Sequence, residues 1–192
     1  MRFKQPISLS EIASLINANL VGDATAFTTG INEIHRVEAG DLVFVDHPKY
    51  YQTCLQSAAT HIIINAQVEC PEGKTLLVVA DPFEAYQTIV STYQPFEPML
   101  QPIADSASIG SGTVLMSGVC VGPHVQIGND CVIHPNVVIG PGTIIADRVV
   151  IQSGTVIGSD AFYYNKRTNR PIHYQRMLSC GRVVIEEGAE IG

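Results

Sequence analysis

Ile103 to Phe162 reads, in sixes, IADSAS, IGSGTV, LMSGVC, VGPHVQ, IGNDCV, IHPNVV, IGPGTI, IADRVV, IQSGTV, IGSDAF. Every first position, from Ile103 through Ile109, Leu115, Val121, Ile127, Ile133, Ile139, Ile145 and Ile151 to Ile157, is a branched aliphatic. Every fifth position is small or β-branched, from Ala107 and Thr113 to Thr155 and Ala161. The second position is often Gly. A helix needs apolar residues three and four apart, and an ordinary strand needs them two apart. A sustained period of six is an internal repeat that fits neither. It fits a short strand plus a tight turn, wound into a triangular parallel β-helix. Three sixes make one coil, and coils stack at the strand spacing of a sheet, about 4.8 Å. The first residues then point to the axis, with Ile103, Val121, Ile139 and Ile157 in one column. Gly at the second position is expected to supply the turn conformations. The competing reading, a β-sandwich with chance periodicity, would have to keep register over the whole stretch.

This pattern resembles the hexapeptide-repeat acyltransferases. The resemblance implies a left-handed parallel β-helix and a homotrimer. Fold alone does not fix a substrate, so the rest of the chain has to be read for it.

The chain has 192 residues, enough for one or two domains. A formal net charge of −7 argues against nucleic acid, which calls for a basic stripe. The N-terminus shows no signal-peptide pattern, and no apolar run approaches transmembrane length. Five cysteines without regular pairing suggest reduced thiols and a cytoplasmic protein. They show no metal-ligand spacing, so no metal is expected; no P-loop or GxGxxG motif appears, and no other cofactor is expected.

Residues 1–96 read as a small α/β domain. Ser8-Leu-Ser-Glu11 is a capping box that opens a helix with Leu9, Ile12, Leu15 and Ile16 on its apolar stripe. Gly30–Ile34 and Leu42–Val45 are expected strands, and Pro48 opens a helix to about Gln56. His61–Asn65 and Thr75–Val79 are β-branched runs expected as buried strands. Asp81-Pro82 starts a helix that buries Phe83, Tyr86, Ile89, Val90 and Tyr93. Residues 97–102 form a proline-bearing linker, and the β-helix is expected over 103–192.

In Asp41-Leu-Val-Phe-Val-Asp-His-Pro-Lys-Tyr50, one aromatic ends a strand and another follows closely. Two such rings can sandwich a flat base, and a polar group between them can read its edge. Ordinary packing of both rings is the alternative.

The whole arrangement resembles one family in particular, the UDP-3-O-(3-hydroxyacyl)glucosamine N-acyltransferases of lipid A biosynthesis. It rests on the α/β domain, the Phe-x-x-x-Pro-Lys-Tyr segment, the linker, the repeats and Gly181-Arg-Val-Val-Ile185. The resemblance implies that Phe44 and Tyr50 hold the uracil of a UDP-sugar. His47 stands where the family often has Asn. It further implies transfer of a 3-hydroxyacyl chain from acyl carrier protein to the 2-amine of UDP-3-O-acylglucosamine. Alternatives are another hexapeptide acyltransferase acting on a nucleotide sugar, and a non-catalytic UDP-sugar-binding homologue.

After Ile157 the register breaks, and 159–180 is a loop excursion rich in Tyr and Arg. Its Lys166, Arg167, Arg170 and Arg176 are candidates for a diphosphate or for the acidic carrier protein; packing on a neighbouring subunit is the alternative. Register resumes at Ile185 and Ile191. The chain then stops at the start of a repeat and is expected to be C-terminally truncated. The family's catalytic histidine would lie beyond residue 192, so no catalytic residue is expected here and the chain is expected to be inactive. His124, at the fourth position of its repeat, and His134, at the second of its own, are read as surface polar residues. His35, His61 and His173 have no catalytic constellation around them.

Overall fold

The computed structural model describes residues 1–166 and 174–192. They form two units, Met1–Pro95 and Phe96–Gly192.

The first unit is built on one mixed sheet. Its strands are β1 (Arg2–Ser8), β2 (Asn19–Val21), β3 (Phe27–Ile31), β4 (Asp41–Val45), β5 (His61–Ile64) and β6 (Thr75–Val78). The order is β1-β3-β4-β5-β6-β2. The four central strands are parallel, and β1 and β2 close the two edges antiparallel. Buried on both faces, β5 is His-Ile-Ile-Ile without alternation, as a central parallel strand should be.

Helices α1 (Leu9–Ile16) and α3 (Pro82–Tyr93) pack against each other, and α3 also packs on β4 and β5. The other face carries Val43, Val45, Ile62 and Ile64. They pack under α2 (Tyr51–Leu55) and under Ile34, Val37 and Val68 of the connecting segments. The connections between successive parallel strands therefore lie on one face of the sheet.

Both helices are capped where their sequences imply, but the capping box is half made, because Glu11 turns to Tyr93 and not to the Ser8 N–H. Ser8 Oγ accepts the Glu11 N–H at 3.2 Å, and Asp81 accepts from Phe83 N and Glu84 N. The Glu11 carboxylate accepts from Tyr93 OH at 2.8 Å, and Tyr93 is only half buried.

Three details depart from the sequence reading. Strand β3 is Phe27–Ile31, not Gly30–Ile34, because Phe27, Thr28 and Gly30 pair with β1 and the chain turns at Glu33–Arg36. Strand β1 was not foreseen. Its polar composition and Pro6 suit an edge, where the register slips between Arg2 and Ile7. The helix expected over 48–56 is a 3₁₀ turn, Pro48–Tyr50, followed by the short α2.

The second unit is a parallel β-helix of stacked hexapeptide coils with three faces. Val121 pairs with Ile139 and Ile139 with Ile157, and Ile103 bridges to Val121. The next face stacks Ile109, Ile127, Ile145 and Ile185, and the third Leu115, Ile133, Ile151 and Ile191. Val121, Ile133, Ile139 and Ile151 are fully buried with fifth-position Val125, Cys131, Val137 and Val149, and they fill the prism.

The glycines act differently from expectation. From Gly112 to Gly154 the left-handed turn residue is the fourth of each six. It is Gly at 112, 118, 142 and 154, but His124, Asp130, Asn136 and Arg148 also hold φ between 54° and 60°. The second-position glycines serve close approach between coils, and Gly158, in the last of the sixes, also holds φ +72°. A Cβ on Gly140 would stand 2.4 Å from the Gly158 carbonyl oxygen.

The excursion leaves after Ile157 and returns at Val184–Ile185, which pair with Ile144–Ile145 on the next face. No face is skipped. Within it, Tyr164–Lys166 and Tyr174–Arg176 form an antiparallel hairpin that the sequence did not announce. Arg167, Arg170 and His173 lie outside the described residues.

Candidate functional site

In a parallel sheet, the segments that leave the C-terminal strand ends are the usual places for a ligand. Here those of β4 and β5 carry a cluster of rings and amides. Phe44 is the penultimate residue of β4 and points to the face of α3, opposite Val43 and Val45. Its ring lies 4.8 Å from Tyr86 and 6.4 Å from Phe83, and it remains half buried. Just beyond the strand, His47 and Tyr50 are exposed, with ring centroids 6.0 Å apart at 60°. Lys49 Nζ stands 5.5 Å from the Tyr50 ring centroid.

The sequence singled out Phe44, His47 and Tyr50. The structure pairs His47 with Tyr50, while the ring contacts of Phe44 among the described residues are with α3. Sequence reading overlooked what holds the segment in place. Tyr51 OH donates to Asn65 Oδ1 at 2.6 Å, and Asn65 Nδ2 donates to the Asp46 carbonyl at 3.3 Å. Asn65 follows the last residue of β5, so a polar residue directly after a buried parallel strand was the available signal. His47 Nδ1 accepts the Lys49 N–H at 3.2 Å and so caps the 3₁₀ turn.

At the opposite end of the sheet, a cleft of about 450 Å³ is lined by Gly22, Asp23, Thr60, His61 and Lys74 among others. Its polar groups are largely engaged. Lys74 Nζ donates to the carbonyls of Ser57 and Ala59, and the Asp23 carboxylate accepts from Thr25, which holds it below the usual range.

In the β-helix, His124 and His134 occupy unlike places. His124 is a left-handed turn residue whose Nε2 lies 3.3 Å from a Glu97 carboxylate oxygen. His134 is half buried, with its N–H bonded to the Ile151 carbonyl of the next coil. Of the excursion's basic residues, Arg176 pairs with Asp160 at 2.9 Å, and Lys166 sits 5.4 Å from the Tyr174 ring centroid.

Comparison with known proteins bears on both units. Residues 28–91, which include the Phe44–Tyr50 cluster, match the family model of UDP-3-O-(3-hydroxymyristoyl) glucosamine N-acyltransferase, LpxD. Residues 106–141 and 124–159 match the model of bacterial transferase hexapeptide repeats. The chain is similar to proteins named UDP-3-O-acylglucosamine N-acyltransferase. The protein of that name from Anaeromyxobacter sp. (strain K) is 26% identical over 213 aligned residues, covering 96% of this chain and 60% of the relative. That from Syntrophotalea carbinolica is 30% identical over 123 residues, covering 64% of this chain and 36% of the relative. That from Vesicomyosocius okutanii is 31% identical over 127 residues, covering 65% and 37%. The chain thus spans about 60% of the length of N-acyltransferase relatives that match it almost throughout. Among the described residues, no helix is long and apolar enough to cross a membrane.

Proposed function

We propose that this chain is the UDP-sugar-binding part of an N-acyltransferase of lipid A biosynthesis. The acceptor is UDP-3-O-acylglucosamine, and the donor is a 3-hydroxyacyl thioester of acyl carrier protein. The 2-amine attacks the thioester carbonyl, an amide C–N bond forms and the C–S bond breaks. The carrier thiol leaves with the proton that the amine gives up. The thioester supplies the activation, so this step requires no redox cofactor. Phe44 and Tyr50 contact the uracil and His47 its edge. The catalytic base is assigned to no residue of this chain. The chain acts as a cytoplasmic homotrimer, and Val114, Val156 and Val184, each at least half exposed on the prism, supply apolar surface for contact between copies.

One observation carries this reading. The segment Phe44–Tyr50 lies at the C-terminal end of a parallel strand, within the stretch that matches the LpxD model. The test is calorimetric titration with UDP-N-acetylglucosamine. The chain is expected to bind it, and Tyr50→Ala to weaken binding about tenfold, the worth of one base–aromatic stack. Phe44→Ala should weaken it similarly, with circular dichroism checking that the loss of packing on Tyr86 leaves the unit folded. Unchanged affinity in both variants would sink the uridine assignment.

A further inference from the structure

The segment after β4 contains an imidazole whose polarity is set by its own backbone. His47 has extended φ −118° and ψ 127°, and it caps the turn Pro48–Tyr50. The Lys49 N–H donates to its Nδ1 at 3.2 Å. A backbone amide can only donate, so Nδ1 must carry the lone pair. A neutral imidazole has one ring proton, which therefore sits on Nε2. The outward-facing atom of this exposed ring is then a donor with no acceptor bonded to it among the described residues, next to the Tyr50 ring.

We propose that His47, locked by this cap as the Nε2–H tautomer, selects uracil over cytosine by presenting a lone donor to the base edge. The inference rests on the reading of the Tyr50 face as the uridine site. Uracil carries a carbonyl oxygen at the position where cytosine carries an amino group. The Nε2–H meets an acceptor on the first base and an opposing donor on the second. A donor left facing a donor forfeits the bond and the hydration of both groups. Two substitutions separate capping from donation. Asn can cap with its carbonyl oxygen and donate outward with its amide. Asp can cap with one carboxylate oxygen and turn the other outward as an acceptor.

The experiment titrates the chain with UDP and with CDP in mildly alkaline buffer. Wild type is expected to prefer UDP about tenfold or more. His47→Asn should keep that preference, and His47→Asp should shift the UDP-to-CDP ratio about tenfold or more toward CDP. Equal affinities in wild type, or an unmoved ratio in His47→Asp, would overturn the donor role and leave the uridine site standing. Failure of both nucleotides to bind would overturn the site and this inference together. Long-range ¹H–¹⁵N correlation on the imidazole provides a readout independent of nucleotide. It should show His47 protonated at Nε2, and a proton on Nδ1 would overturn the proposal.

Discussion

His61 is a histidine in a core position. It opens β5, is 2% exposed, and donates from Nε2 to the Phe27 carbonyl at 3.1 Å. Its Nδ1 is buried without a partner among the described residues. Burial lowers its pKa below the ordinary histidine value and Lys74 adds to that, while the Phe27 bond, Asp23 and Asp41 pull the other way. The unfolded chain therefore takes up a proton at His61 before the folded chain does. This histidine costs no stability well above about pH 6.5, and the cost grows as pH falls through and below that value. Urea midpoints are expected to drop between pH 7 and pH 5.5, by no more than about 1.4 kcal/mol per pH unit for this one proton. His61→Gln keeps a donor but cannot titrate, so the difference between its profile and wild type's isolates His61. Parallel profiles would refute this account. The sequence held no trace of this environment, because Phe27 and Asp23 reach His61 only through tertiary pairing. Asp41 is a similar case. It lies just before the strand expected at Leu42–Val45, yet it is fully buried and accepts from Arg2, Asn32 and the Glu38 N–H.

At the scale of the elements, the hexapeptide coil was legible because its apolar period is set by geometry local to each six. Which residue absorbs the turn was not legible from glycine counts alone. The left-handed fourth position accepts His124, Asp130, Asn136 and Arg148 as well as glycine, and their side chains disguise it. The second position looks like a turn glycine, but what excludes a side chain there is the coil above. The two kinds of glycine should therefore respond differently to a methyl group. Gly142 has φ +69° and open space around its added Cβ, so Gly142→Ala should cost about 1 kcal/mol of backbone strain. Gly140→Ala drives a Cβ into the Gly158 backbone, which cannot rotate away, and should cost about 3 kcal/mol. Equilibrium unfolding of the two variants would settle the order, and equal costs would show that the coils are free to separate. In the first unit the limits were of another kind. β1 and β3 were misjudged because an edge strand is defined by its partner more than by its own composition.

For the whole molecule, the order of a small α/β unit followed by a β-helix could be read from the change of hydrophobic period near Ile103. How copies of the chain meet could not, since outward strand positions carry no signature until the prism is built. Once built, one face shows Val114, Val132 and Val150 in a single outward column, with Glu190 at its end. A second face shows Cys120, Val138 and Val156, while the third begins with Ser108 and Gln126 and turns apolar only at Ile144 and Val184. A monomer gains nothing from presenting two such columns to water, whereas a trimer can bury them between neighbouring prisms. Val132→Glu and Val138→Glu each place a charge in the middle of one column without touching the prism's interior. If these faces form the trimer, at least one substitution should reduce the mass in sedimentation equilibrium from three chains to one, with the far-ultraviolet circular dichroism unchanged. A trimer that survives both would remove the columns from the interface and leave the excursion hairpin, with exposed Tyr164 and Tyr174, as the next surface to charge. A wild-type chain that sediments as a monomer would instead withdraw the trimer itself.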